Sequence, residues 1–226
     1  LSCMLLAAEE LDLYPLGCLL SAALSEDMRN LSGAPKNHQG SHCDLAQQLL
    51  LGVGDVIKRN YQQLTRTPLN EAIKQLHDVS GEKYNSILLA GFADRVAKLR
   101  ENGQYQFCAG GMGQLKRESL AQNAAFIIAL SATELGQKGP LIEVASGIET
   151  NALHKYKNHL RSKEEKEEWD QTSHRQMQIT RELYGDLVIA EVKRPVDKQL
   201  SGDAWLEILQ RDWQEFATRA TATADE

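Results

Sequence analysis

Near Gly103 the spacing of apolar residues changes from the three-to-four-residue step of a helix to the two-residue step of a strand. No fold of a single class accommodates both. Upstream of that point, Leu45, Leu49, Val53, Ile57, Tyr61 and Leu64 trace one helical stripe from Asp44 to Leu64. Gly52 and Gly54 interrupt it, each weakening a helix by ~1 kcal/mol relative to Ala. A capping Ser2 precedes a stripe of Met4, Leu5, Leu6, Ala8 and Leu11. Pro15 can open a second helix carrying Leu16, Leu19, Leu20, Ala23 and Leu24. The polar, Gly/Pro-containing stretch from Asn30 to His42 reads as a loop. Thr67-Pro68 starts a helix with Leu69, Ile73 and Leu76, and Ser80-Gly81 stops it. Tyr84, Ile87, Leu88, Phe92, Val96 and Leu99 then predict helix from Glu82 to Arg100, with a break at Gly91.

Downstream, Tyr105 and Phe107 alternate with Gln104 and Gln106, a strand signal, and Gly110, Gly111 and Gly113 make a turn. Ala124 to Leu130 is a continuous apolar run fit for a strand buried on both faces, and Leu141–Ala145 is another strand candidate. A short helix over Glu149–Leu160 separates these from strand candidates at Glu165–Asp170, His174–Arg181 and Asp186–Glu191, the last two joined by a turn at Tyr184-Gly185. Trp205, Leu209, Trp213 and Phe216 mark a final helix, with a small, polar tail beyond it. The predicted class is α+β: an N-terminal helical bundle, then a small Greek-key barrel of the OB type with one embedded helix, then a C-terminal helix.

Several chemistries lack their motifs. The chain contains no Gly-x-x-x-x-Gly-Lys-Ser/Thr, no His-Glu-x-x-His and no Gly-x-Ser-x-Gly. No spacing offers a nucleophile, a base and an orienting group together, so these residues point to a non-catalytic module. The net charge of −6 argues against a free-standing protein held to nucleic acid by bulk charge, yet leaves room for a local basic groove. No apolar stretch approaches the roughly 20 residues of a membrane helix. Cys3, Cys18, Cys43 and Cys108 include no Cys-x-x-Cys pair, and reduced thiols in a cytoplasmic protein are expected. No secretory leader is read, and a first residue of Leu1 suggests a piece of a longer protein.

The order of segments resembles the C-terminal accessory region of bacterial HrpB-type DEAH-box RNA helicases. Ser86–Ala97 resembles that family's leucine-rich segment ending in Tyr-Pro-Asp-Arg-Ile/Val-Ala, with Ala93 where the family has Pro. Gly103–Gly113 resembles its Gly-Arg-Tyr strand and glycine turn, with Gln104 in place of the Arg. Ala125–Leu130, Trp169-Asp170 and Leu183–Glu191 resemble three later segments. The resemblance implies the end of a winged-helix region over 1–30 and a helical, ratchet-like helicase-associated domain over 31–102. It places an OB-fold-like barrel over 103–192 and a C-terminal helix and tail over 193–226. It implies no cofactor here; ATP and magnesium would belong to RecA-like motor domains, which these residues do not include. The partners it implies are single-stranded RNA and those motor domains.

The basic residues supply the site candidates. Between Gly91 and Arg117, Arg95, Lys98, Arg100, Lys116 and Arg117 stand against Asp94 and Glu101, a net of +3. Phosphates are drawn to such clusters, and Tyr105 or Phe107 could stack on bases. The competing reading pairs Arg95 with an acid at a helix end and puts both rings, which share a strand face, in the core. Lys155, Lys157, Arg161 and Lys163 make a second basic run, followed by five acids and one lysine over Glu164–Asp170. It is either a basic edge beside the barrel, led by Lys155 and Lys157, or a solvated segment of offsetting charge. Gly110–Gly113 could present backbone N–H groups to phosphate or be a plain hairpin turn. His38, His42 and Cys43 form the one metal-like cluster but lack a rigid frame, and no metal is expected. A different function class, docking of another polypeptide through the barrel or the Trp205/Trp213 face, suits the acidic net charge.

Overall fold

The computed structural model describes residues 1–26, 43–134, 139–155, 159–170 and 175–196, with Gln210 and Trp213. Two compact units are present: Leu1–Glu164 with Arg181–Glu191, and Glu165–Thr180 with Val192–Glu226.

The first unit begins with six helices, α1 (Ser2–Glu10), α2 (Tyr14–Leu24), α3 (Asp44–Leu51), α4 (Asp55–Leu64), α5 (Leu69–Asp78) and α6 (Gly81–Phe92). Pro15 lies in the first turn of α2, where its missing N–H costs nothing. The next orphan donor, the Leu16 N–H, is taken by Gln75 Oε1 of α5 at 3.0 Å. From Leu16 to Ala23 every residue of α2 is buried, which makes it the centre of the bundle. Gly17 lets α1 pack close, since a Cβ there would overlap that of Ala8. The single helix predicted over Asp44–Leu64 is two: Gly52, Val53 and Gly54 leave the helical conformation, and Gly54 caps α4. The predicted helix to Arg100 ends at Phe92. A one-turn 3-10 segment, Ala93–Arg95, turns the chain into strand β1 (Val96–Leu99). Val96 and Leu99 sit at helical spacing, and four residues are too few for a strand's two-residue alternation to stand out against the stripe that precedes it.

β1 joins β2 (Tyr105–Phe107), β3 (Met112–Leu115), β4 (Phe126–Glu134) and β5 (Pro140–Ile148) in a closed barrel of order β1-β2-β3-β5-β4. Every pairing is antiparallel except β3 with β5. The barrel therefore occupies residues 96–148, earlier and shorter than the expected 103–192. Its first strand was hidden in an apparent helix and β3 in an apparent glycine turn. Helix α7 (Thr150–Lys155) follows the barrel instead of lying among its strands.

Two apolar clusters meet on the barrel wall. Ala97, Tyr105, Ala121, Ile127, Ala129, Ile142 and Ala145 fill the interior, joined by Leu99, Phe107 and Leu115. Val96, Phe126, Ile128, Leu130, Val144 and Ile148 point outward into the larger core shared with the helices. From Phe126 to Leu130 β4 is thus buried on both faces, as the continuous apolar run predicts, while residues 131–134 alternate between half-buried and exposed.

The three later strands, β6 (Arg161–Asp170), β7 (Arg175–Tyr184) and β8 (Leu187–Pro195), form a separate sheet of order β6-β7-β8. In the first unit the central Arg181 reaches both neighbours, with Nε donating to Glu191 Oε2 at 2.6 Å and Nη1 lying 4.0 Å from Glu164 Oε2. In the second unit Gln176 donates its amide to Glu167 Oε2 at 2.9 Å and accepts from the Val196 N–H at 2.9 Å. Of the expected C-terminal helix, only Gln210 and Trp213 are among the described residues, and both are helical; Trp205 lies outside them.

Candidate nucleic-acid interface

On β1 and β2 the two-residue alternation divides the side chains cleanly. Ala97, Leu99, Tyr105 and Phe107 face the barrel interior, so Lys98, Arg100, Gln104 and Gln106 face outward. The register places Lys98 opposite Gln106, and Gln106 opposite Met112. One step further, Gln114 comes beside Gln104, whose carbonyl accepts from the Arg100 N–H at 2.8 Å. Arg100, Gln104 and Gln114 thus form a row across the strand ends, with Lys116 two residues beyond Gln114. The outer face of β2 and β3 with the β1–β2 loop is the surface on which OB barrels receive oligonucleotides.

The predicted residues separate into groups. Arg100, Lys116 and Arg117 are exposed at this end of the barrel. Arg100 donates from Nε to Gln106 Oε1 at 2.7 Å, and from Nη2 to the same oxygen, which holds the guanidinium along the face. Arg95 is exposed at the opposite end of β1, its guanidinium 5.2 Å from the Phe92 ring centroid. Lys98 is engaged: Nζ donates to the Val188 carbonyl of β8 at 2.6 Å and lies 5.4 Å from the Phe126 ring centroid. Burial, with the charge of Arg100 nearby, holds its ammonium below the usual lysine range. Lys98 therefore ties strands together rather than offering a free cation.

Tyr105 offers no stacking surface. It is 2% exposed, and its hydroxyl donates towards the Ala124 carbonyl at 3.0 Å and the Ala121 carbonyl at 3.3 Å. Phe107 packs into the same interior cluster. Lys157 and the side chain of Lys155 lie outside the described residues, as do His38 and His42. Among the described residues no group of three or more His, Cys, Asp or Glu could hold a metal ion. The glycine turn is a closed hairpin turn: the Phe107 N–H donates to Gly111 O and the Gly110 N–H to Phe107 O. Beside it, Asp186 donates its N–H to Cys108 O at 2.8 Å and places a carboxylate against Gly110, which disfavours phosphate there.

Sequence reasoning missed two parts of this site. The glutamines Gln104, Gln106 and Gln114 line the outer face, and the alternation around Tyr105 already carried that signal. The second is the reach of Asp44, 7% exposed at the start of α3, where the sequence reads it only as support for its own helix N-terminus through the dipole. Its carboxylate reaches past its own helix to accept from Ser119 Oγ at 2.7 Å, the Leu120 N–H at 2.7 Å and the Ala145 N–H at 2.9 Å. Burial pushes its carboxyl above the ordinary range; the three donors and Lys116 pull it back only part of the way. Such a contact spans chain distances that no local pattern encodes. Around it, Cys43 Sγ donates to Tyr84 Oη at 3.2 Å, and Ser146 Oγ donates to Asn85 Oδ1 at 2.9 Å. A polar seam therefore links α3, α6 and β5.

A separate surface cavity of about 400 Å³ lies at the α4–α5 turn, lined by Lys58, Gln62, Thr65, Arg66 and Thr67 among others. Lys58 there is paired with Asp55 at 3.0 Å. No helix of the described residues is long and apolar enough to cross a membrane.

No family model matches the sequence, and no curated protein matches it. Solved structures do. The crystal structure of the E. coli DExH-box NTPase HrpB is similar over 85% of this chain and 22% of its own, with a TM-score of 0.55 and 19% identity. A second crystal structure, of the Escherichia coli DEAH/RHA helicase HrpB, matches over 84% and 22%, with a TM-score of 0.53 and 19% identity. This chain thus spans 22% of the length of the helicases it matches. The fold agrees with the resemblance carried by the sequence segments.

Proposed function

We propose that this chain, which shares its fold with part of a DEAH-type helicase, is an accessory region that helps hold single-stranded RNA for ATP-driven motor domains. The observation that carries the reading is the barrel of order β1-β2-β3-β5-β4, with Arg100, Lys116 and Arg117 exposed beside its β2–β3 face. That face has amides and cations but no exposed aromatic ring, which suits backbone contact without base readout. Binding is then weak, salt-sensitive and tolerant of sequence. ATP and magnesium belong to the motor domains in this reading, and the accessory region holds no cofactor. A cytoplasmic location goes with it. The test is the affinity of the chain for a labelled oligouridylate at two salt concentrations, beside a Lys116→Glu/Arg117→Glu variant. The double charge reversal is expected to weaken binding roughly tenfold at low salt; equal affinity would remove the reading.

A second reading, docking of another polypeptide, is favoured by a different observation. Leu50, Leu51 and Val56 are 40%, 57% and 47% exposed around the α3–α4 link. A defined protein retained by the chain without RNA, and released by Leu51→Asp/Val56→Asp, would support it.

A further inference from the structure

We propose that Asp44 is the positioning residue of the basic pair Lys116–Arg117, an inference that rests on the RNA-binding reading above. Lys116 and Arg117 follow β3 in a connection that contains neither helix nor strand, residues 116–125. Two cations on such a connection would lose orientational entropy on meeting a phosphate chain. The structure removes that freedom in advance. Upstream, the Lys116 N–H donates to the Ile142 carbonyl of β5 at 2.9 Å. The turn then closes on itself, since Lys116 O accepts from the Ser119 N–H at 3.1 Å and from Gln122 Nε2 at 2.7 Å. Ser119 and Leu120, two and three residues beyond Arg117, both donate to the Asp44 carboxylate, and Ser119 Oγ also accepts from the Ala121 N–H at 3.1 Å. Because Asp44 also holds the Ala145 N–H, one carboxylate fastens the basic turn to α3 and β5 together.

A carboxyl group fits these contacts better than its amide would. Three donors converge on two oxygens, and a side-chain amide would set an N–H against at least one of them. Through Asp44, helix α3 is tied directly to the turn that carries the basic pair.

The test is a double-mutant cycle on the full chain, with a labelled oligouridylate as the probe. Asp44→Asn is expected to lower affinity roughly three- to tenfold at low salt, with faster hydrogen exchange at the Leu120 and Ala145 amides. In the Lys116→Glu/Arg117→Glu background the same substitution is expected to change affinity no further, because its target is gone. A merely structural role would carry its loss into both backgrounds. If Asp44→Asn fails to fold, Ser119→Ala removes one of the three hydrogen bonds and runs the same cycle with a smaller effect. An Asp44 or Ser119 loss that is equal in both backgrounds, or an unchanged affinity when the charge reversal alone weakens binding, overturns the positioning role. If the charge reversal itself leaves affinity unchanged, the RNA reading falls and the inference with it.

Discussion

Gly185 occupies the β7–β8 turn with φ of +56°, where its N–H donates to Leu160 O at 2.8 Å. A Cβ there would overlap the carbonyl of Cys108. Gly185→Ala is therefore expected to cost about 2 kcal/mol, combining the left-handed penalty with the displaced turn, measured by chemical denaturation. Tyr105→Phe removes a hydroxyl that two carbonyls share inside the barrel. It is expected to lower stability by about 1 kcal/mol and to leave RNA affinity unchanged, since the ring never reaches the surface. Asp44 predicts a pH effect. Its folded carboxyl titrates above the ordinary value of 3.8, so the native state binds the proton more readily than the unfolded chain. That contribution is fully present below pH 3.8 and is lost as pH rises through the folded value. Denaturation midpoints over an acid series should show the wild type gaining on Asp44→Asn as pH falls towards 3.8.

At the scale of elements, β4 carries the largest load. Ile127 is fully buried in the barrel interior while Ile128 is fully buried in the helical core. Ile127→Ala and Ile128→Ala should each cost about 2–4 kcal/mol by denaturant titration, although they empty different cores. β4 was legible because an apolar run of strand length, with no gap for a polar face, admits only double burial. The helices α1, α2 and α5 were legible from their stripes, and α2 and α5 also from Pro15 and Pro68, although Leu1 and Pro68 rather than Ser2 and Thr67 stand at the N-caps of α1 and α5; α6 was legible only as far as Phe92. β1 was not. Its Val96 and Leu99 continue the stripe of α6, and the switch depends on where Ala93–Arg95 turns the chain, which is a tertiary matter. β3 was hidden for the opposite reason: Met112–Leu115 has a glycine at an inward position, where Phe107 and Ile142 leave no room for a side chain. The candidate site was half legible. Clustered cations are visible in a sequence, but whether each is exposed is not. Lys98 is consumed by a carbonyl on a strand ninety residues away, while Arg100 stays outside.

For the molecule as a whole, the acidic net charge and the local basic end act at different ranges. Under the proposed RNA-binding role, the net charge supplies no long-range attraction, and contact would rest on a few cations within a Debye length of the phosphates. If Arg100, Lys116 and Arg117 each neutralise one phosphate, the slope of log affinity against log salt should be about −2 on single strands. Titrations at a series of salt concentrations measure it, and a slope near zero would mean that these cations do not meet phosphate. The doubly buried β4 has a further consequence, for anyone who would transplant the barrel. Cutting at Val96 and Ile148 frees a cylinder whose Phe126, Ile128, Leu130 and Val144 were greasy on the outside all along. Such an excised piece would clump unless those four positions were repainted with polar residues, so the unit that recombination can shuffle intact is the bundle and barrel joined, not the barrel by itself.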